Sequence, residues 1–388
     1  MIPKPLNGIT VVEMGNAEAE GIASLLLSDY GAEVIRLEIE FPDETEKKEK
    51  TDFRICDRGK RRILFHPENV SEREWLKELL SDTDAVISSF PEEILKQWGM
   101  DGRAMQAVNQ RLVYTSITGY GQEGPYGHCR PYNEITVQAE SGLMSITGPE
   151  HGEPVRCGSD FATFSGGANA CIATLMALID VRKTGQGRRN DVSMMDSILY
   201  GLENQFSIYL KSSHIPVPMG NHYALSAPVG DFLCKDGKKV MISVATEVQW
   251  KNFAEVMGHI EWLDDPAYRN VGERLKNYKK LENDVAGAFM ERTSDEALKQ
   301  LQSKNCIYGK INNFEDVVRH PQVAVRHIFM DVRTPDGEKM RAPSNPLIMD
   351  GEKPAKNVIG KVTVCQKNMA SNNDTKKCDM CQKRCQNS

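Results

Sequence analysis

Residues 8–38 read GITVVEMGNAEAEGIASLLLSDYGAEVIRLE, and they decide the fold. Ile9–Glu13 is a short β-branched run that predicts a strand. Ala19 to Tyr30 carries apolar residues at helical spacing, and Gly31 stands where such a helix stops. Glu33–Glu38 predicts a second strand. A strand, a helix and a strand in this order form a parallel pair with a right-handed crossover. The alternation continues with Ile63–Phe65 (strand), Ser71–Leu80 (helix), Ala85–Ser88 (strand) and Leu112–Ile117 (strand). It predicts a Rossmann-like, doubly wound α/β domain.

Further along, Gly166–Lys183 is small and apolar, which predicts a helix buried on most sides. Thr184–Gly187 ends it, Asp191–Ser193 returns to a strand, and Met194–Leu210 is helical again. His214–Pro218 reads as a linker. Beyond it, Asp231–Val244 holds two short strands around Lys235-Asp236-Gly237, a hairpin pattern. Helices are predicted over Val248–Met257, Arg274–Arg292 and Ser294–Ser303. The expected division is a large α/β domain over 1–211, a smaller α+β domain over 219–325, a return segment over 326–364 and a polar, cysteine-containing, flexible tail over 365–388.

An apolar fraction of 40% suits a full core without disulfides or metal. The net charge of −6 argues against a nucleic-acid partner. The N-terminal residues show no secretory pattern, and no long uninterrupted apolar run suggests a membrane span. Six of the 10 cysteines (Cys56, Cys129, Cys157, Cys171, Cys234, Cys306) show no pairing pattern, as expected for reduced thiols in the cytoplasm. A local cluster, Arg58-Gly59-Lys60-Arg61-Arg62, leaves room for a small anionic ligand.

Three blocks lie between Ser116 and Ser197: SITGYGQEGPYG (116–127), GEPVRCGSDFATFSGG (152–167) and KTGQGRRNDVSMMDS (183–197). Together with LNGITVVEMG (6–15), LLLSDYGAEVIRLE (25–38), RGKR (58–61), GNHYALSAPVGDFLCKDGKKVMIS (220–243) and HPQVAVRHIF (320–329), they resemble the family III CoA-transferases over residues 5–345. The group includes the formyl-CoA, carnitine and bile-acid CoA-transferases. The resemblance implies an intertwined homodimer that binds CoA at the carboxyl edge of the large sheet. It implies transfer of CoA from an acyl-CoA thioester to a carboxylic acid through an aspartyl intermediate, with no permanent cofactor. Arg36, Lys60, Arg61, Arg130 and Tyr132 match positions that would meet CoA. Tyr132-Asn133 stands where racemases of the superfamily carry His-Asp, so racemase chemistry is not implied.

The nucleophile departs from the pattern. Counting from Pro154 or back from Thr184 places the family aspartate at Thr163, while anchoring on Ser165-Gly166 places it at Ala162. Asp160 is the nearby acid, either as nucleophile or as a helix cap. The competing reading is a non-catalytic, CoA-binding relative that lacks the nucleophile. The tail carries Cys378, Cys381 and Cys385 with Cys365 upstream, a spacing that suits zinc or an iron–sulfur cluster. A metal-dependent regulator working through that tail is the third reading.

Overall fold

A computed structural model describes residues 4–15, 17–39, 53–127, 130–150, 152–354 and 356–365. Its strands are β1 (Thr10–Met14), β2 (Glu33–Ile39), β3 (Arg61–Phe65), β4 (Ala85–Ser88), β5 (Val113–Thr118), β6 (Arg189–Ser193), β7 (Val229–Leu233), β8 (Lys239–Ser243), β9 (Ile307–Lys310), β10 (Phe329–Arg333), β11 (Lys339–Pro343) and β12 (Val362–Val364). The helices used below are α1 (Glu18–Asp29), α2 (Val70–Ser81), α3 (Glu92–Gln97), α4 (Gly102–Val108), α5 (Glu134–Glu140) and α6 (Phe161–Thr184).

The chain forms two compact units, one of residues 1–137, 160–200 and 328–388, the other of 138–159 and 201–327. Residues 138–159 and 201–211, assigned from sequence to the large domain, cluster with the second unit. The first unit is built on a seven-stranded sheet in the order β12-β3-β2-β1-β4-β5-β6. Every pairing in it is parallel. The order reverses direction between β1 and β4, as expected of a doubly wound sheet.

Side chains alternate between the two faces. Val12, Met14, Ile35, Leu37, Ile63 and Phe65 pack with Leu76 and Leu80 of α2 and Met105 of α4. The opposite face carries a row in register, Glu13 of β1 beside Arg36 of β2 beside Arg62 of β3, and α1 lies over it with the Ser24 hydroxyl donating to Glu13 at 2.6 Å. The α1 helix ends at Asp29, and the turn after it passes through Gly31, whose φ of 112° and crowded surroundings (an added Cβ would sit 3.0 Å from Lys4 Cβ) disfavour a side chain. By length and composition, with a mean hydropathy of 1.5, α6 could cross a membrane. In this fold it packs against α1 and β5 on one side and leaves Phe164, Ile172, Met176 and Ile179 exposed on the other, so it is not buried on most sides as its composition predicts. A Cβ on Gly167 would lie 2.6 Å from the Ala19 carbonyl of α1, one on Gly166 2.9 Å from Met194, and Thr174 shares a 2.8 Å hydroxyl bond with Thr115 of β5.

In the second unit, β7, β8 and β9 form an antiparallel sheet against an apolar core that includes Trp250, Phe253, Trp262, Tyr268 and Phe289. The predicted hairpin is β7–β8. Two predicted helices are interrupted: 274–292 breaks at Asn277 between Val271–Lys276 and Tyr278–Met290, and 194–210 breaks at Leu202.

Candidate active site at the carboxyl edge of the large sheet

Where β1 and β4 part, the chain leaves β1 through Gly15 and β4 through Ser89. A Cβ on Gly15 would lie 2.1 Å from Ser89 Oγ and 2.9 Å from the carboxyl of Glu20, so glycine alone allows these groups to close on one another. Glu20 stands in the first turn of α1, fully buried. Its Oε1 accepts from Arg54 Nη1 at 3.1 Å, while its Oε2 is buried without a partner.

Behind it lies a buried ion network. Glu13 accepts from Lys60 at 2.6 Å and from Arg54 at 2.5 Å, with Arg36 3.7 Å away. Lys60 also donates to the Gly21 carbonyl and the Ser24 hydroxyl, at 2.9 and 2.8 Å. Asp57 pairs with Arg36 and with Arg54, and Arg62 binds Glu38 at 2.5 Å. Burial alone would raise Glu13, but Lys60, Arg54 and Arg36 hold its carboxyl down to about 2. For Glu20 burial wins: Arg54 opposes it, the Glu13 charge adds to it, and the carboxyl is pushed up to about 7. Burial and then the Glu20 charge raise the Tyr132 phenol to about 12.

The glycine turn after β5 forms the next wall. Gly121, at φ 88°, donates to Thr118 Oγ1 at 2.9 Å, and the Gln122 N–H donates to Asp191 at 2.8 Å. The Tyr132 ring lies against Gly119, where a Cβ would be 2.5 Å away. Arg130 stacks 4.2 Å over Tyr126 and 5.1 Å over Tyr120.

The start of α6 completes the edge. Asp160 holds the position before the first turn but makes no capping bond with its side chain and is exposed. The cap comes instead from Glu134. Its Oε1 accepts from the Ala162 N–H at 2.9 Å, and its Oε2 accepts from the Thr163 N–H and hydroxyl, both at 2.7 Å. A carboxylate on the free N–H groups of a helix is stabilised by the helix dipole as well as by the bonds.

Of the residues singled out from sequence, Arg36 and Lys60 come together around Glu13, with their charges engaged by internal carboxylates. Arg61 is exposed at the opposite end of β3 and pairs with Glu33 at 2.9 Å. Arg130 and Tyr132 share the glycine turn, and Asp160 stands at the start of α6. Cys378, Cys381 and Cys385 lie outside the described residues, and among the described residues no group of three or more His, Cys, Asp or Glu could hold a metal ion. Sequence reasoning missed Glu20, Arg54 and Glu134. Glu20 had a signal, an acid one turn before Ser24 on the side of α1 that covers the sheet. Glu134 had none, because the residues it caps are distant in the chain, and Arg54 shows only its near partner Asp57, while Glu13 and Glu20 are distant.

The model of CoA-transferase family III matches residues 6–357. A succinate–glutarate CoA-transferase of Agrobacterium fabrum is 28% identical over 359 residues, covering 89% of this chain and 89% of that protein. The human succinyl-CoA:glutarate CoA-transferase is 27% identical over 348 residues, covering 88% of this chain and 79% of its own. Among solved structures, a CAIB/BAIF family protein from Brucella suis superposes with a TM-score of 0.78 at 28% identity, covering 92% of this chain and 95% of that one. The parallel sheet, the glycine turn and the long α6 helix thus stand in a chain that the family matches over residues 6–357, and this protein belongs to CoA-transferase family III.

Proposed function

We propose that the protein moves CoA from an acyl-CoA thioester to a carboxylic acid through a covalent intermediate on Asp160. The observation that carries the choice of residue is the contrast at the start of α6. Glu134 has both oxygens bonded, whereas the Asp160 carboxyl is exposed and makes no capping bond. In this reading Asp160 attacks the thioester carbonyl, the C–S bond breaks, and a mixed anhydride forms with release of CoA thiolate. The thiolate attacks the aspartyl carbonyl and frees the donor acid. The acceptor carboxylate then attacks the aspartyl–CoA thioester, and the released thiolate takes the acceptor acyl group and restores Asp160. Relatives named for succinate, glutarate, oxalate and malate support a dicarboxylic acid as one substrate.

The reading extends to a homodimer in the cytoplasm. Exposed Phe164, Ile172, Met176 and Ile179 on α6 support packing against a second copy. Free, buried Cys56, Cys171, Cys234 and Cys306 support a reducing compartment.

The test is incubation with succinyl-CoA and glutarate, followed by hydroxylamine and peptide mapping. The expected result is glutaryl-CoA formation with a hydroxamate on the Asp160 peptide, and Asp160→Asn lowers turnover by about a thousandfold or more. A second reading, a CoA-binding relative without catalysis, is favoured by Thr163 at the matched aspartate position and by its bonds to Glu134. It predicts CoA binding with neither product nor label.

A further inference from the structure

Among the described residues the buried network contains four carboxyls, Glu13, Glu20, Glu38 and Asp57, and four cations, Arg36, Arg54, Lys60 and Arg62. With all eight ionised their charges balance. With Glu20 protonated, one positive charge among them is left over. Three observations point to the protonated form. Glu20 is enclosed by Gly15, Ser89 and Arg54 and has no solvent contact. Its Oε2 has no donor to satisfy it, an expensive position for half of a carboxylate. Its carboxyl titrates near 7, raised by burial and by Glu13 against the pull of Arg54.

The surplus charge has an outlet. Among its ion-pair partners Arg54 is the exposed one: its side chain is 15% accessible, while those of Glu13, Glu20 and Asp57 are 0%. Arg54 also donates to the Ala17 carbonyl, in the segment that follows Gly15 at the β1/β4 switch point. Open α/β sheets bind their ligands in that crevice. The groups facing Glu20 are Glu13 from β1, Arg54 from the segment before β3, Ser89 after β4 and Tyr132 before α5. Lys60, Arg36 and Asp57 stand one contact further away.

We propose that Glu20 is a positioning residue for anionic substrates: in its acid form it leaves Arg54 a net positive charge at the β1/β4 crevice, and its ionisation cancels that charge. The ligand chemistry is an anionic oxygen group, supplied by a substrate carboxylate or by a CoA phosphate. This deepens the transferase reading and rests on it. Linkage gives the sign. An anion that prefers the protonated form raises the Glu20 affinity for its proton, so binding near pH 7 takes up a proton and weakens as pH rises.

The test is calorimetric titration of the full chain with glutarate and, separately, with free CoA, at pH 6 and pH 8. For the wild type the expected loss of affinity from pH 6 to pH 8 is about tenfold for the anion that uses the crevice. Glu20→Gln, neutral at every pH, is expected to bind at pH 8 as the wild type binds at pH 6. Titrations at pH 7 in two buffers of different ionisation enthalpy give a second readout that needs no variant. Glutarate is fully ionised there, so uptake of up to about half a proton per site reports on the protein. A pH effect with glutarate assigns the crevice to a carboxylate, and one confined to CoA assigns it to a phosphate. Binding that is flat with pH, or equally pH-dependent in Glu20→Gln, overturns the proposal and leaves the transferase reading intact. No binding of either anion at either pH removes both.

Discussion

Two buried polar centres of this molecule, one in each unit, solve the same problem in opposite ways. In the second unit Arg274 is fully buried, and its guanidinium donates to the Ala227 carbonyl at 2.8 Å, to the Tyr268 carbonyl at 3.0 Å and to Glu247 at 2.9 Å while stacking on Trp250. Its partner Glu247 reaches water, with 54% of its side chain exposed. In the first unit Glu20 is equally buried, yet one of its oxygens has no partner and its Arg54 is shared with Glu13 and Asp57. A satisfied buried charge fixes a fold and then has nothing left to do. An unsatisfied one is costly, and the pH and the ligand can act on it.

The comparison breaks most severely when each centre is emptied. Phe253→Ala, in a core where this ring stacks on Trp250, Trp262 and Phe289, is expected to destabilise the second unit by about 3–5 kcal/mol. Urea titration followed by Trp fluorescence should find that loss unchanged between pH 5 and pH 8. Lys60→Met is expected to cost the first unit about 3–5 kcal/mol, because it takes from the buried Glu13 carboxylate the cation bonded to its Oε2. Glu13 has a depressed value, so its contribution to stability is present above about 4.5 and is lost as pH falls toward 2. In Lys60→Met the Glu13 carboxyl is held down less, so that acid-induced loss should be smaller than in the wild type.

Glu20 gives the opposite slope. Its raised value means that the fold holds the proton more tightly than the unfolded chain, so wild-type stability falls as pH climbs from about 4.5 to about 7. Glu20→Gln removes that slope. At pH 5 the variant and the wild type are expected to melt within a degree or two of each other, whereas at pH 8 the variant should be the more stable by about 3 kcal/mol. A variant that is less stable at both pH values would mean that Glu20 is held as a carboxylate.

The strands and helices of this chain were largely legible from periodicity, because each depends on neighbours within a few residues. Ala85–Ser88 and Ser294–Ser303 fall where the sequence places them. Asn277 was not seen as a break, since its side chain donates to the Ala267 and Glu273 carbonyls, and such a bond leaves no trace in spacing. The third strand of the small sheet, Ile307–Lys310, is too short and too exposed to show alternation. The site was legible only in outline. Resemblance led to the start of α6 and so to Thr163 and Asp160. It could not show that Glu134, far back in the chain, reaches over to cap that helix, or that Glu20 turns inward beside Gly15. Both depend on contacts that exist only once the sheet has brought its loops to one edge.

The smallest expected effect is the most direct on catalysis. Thr163→Val keeps the backbone N–H that Glu134 accepts from and removes only the hydroxyl donor, so the helix start should lose about 1 kcal/mol. If Asp160 is the nucleophile, kcat should change less than about threefold, because the hydroxyl touches Glu134 and takes no part in the attack. If Glu134 carries the acyl group instead, losing a donor makes the carboxylate more basic and a poorer leaving group from the anhydride. The variant would then shift the acid limb of the kcat profile toward higher pH. The pH profile of Thr163→Val, set beside the residue that hydroxylamine labels, therefore decides between the exposed carboxyl and the bonded one at the head of α6.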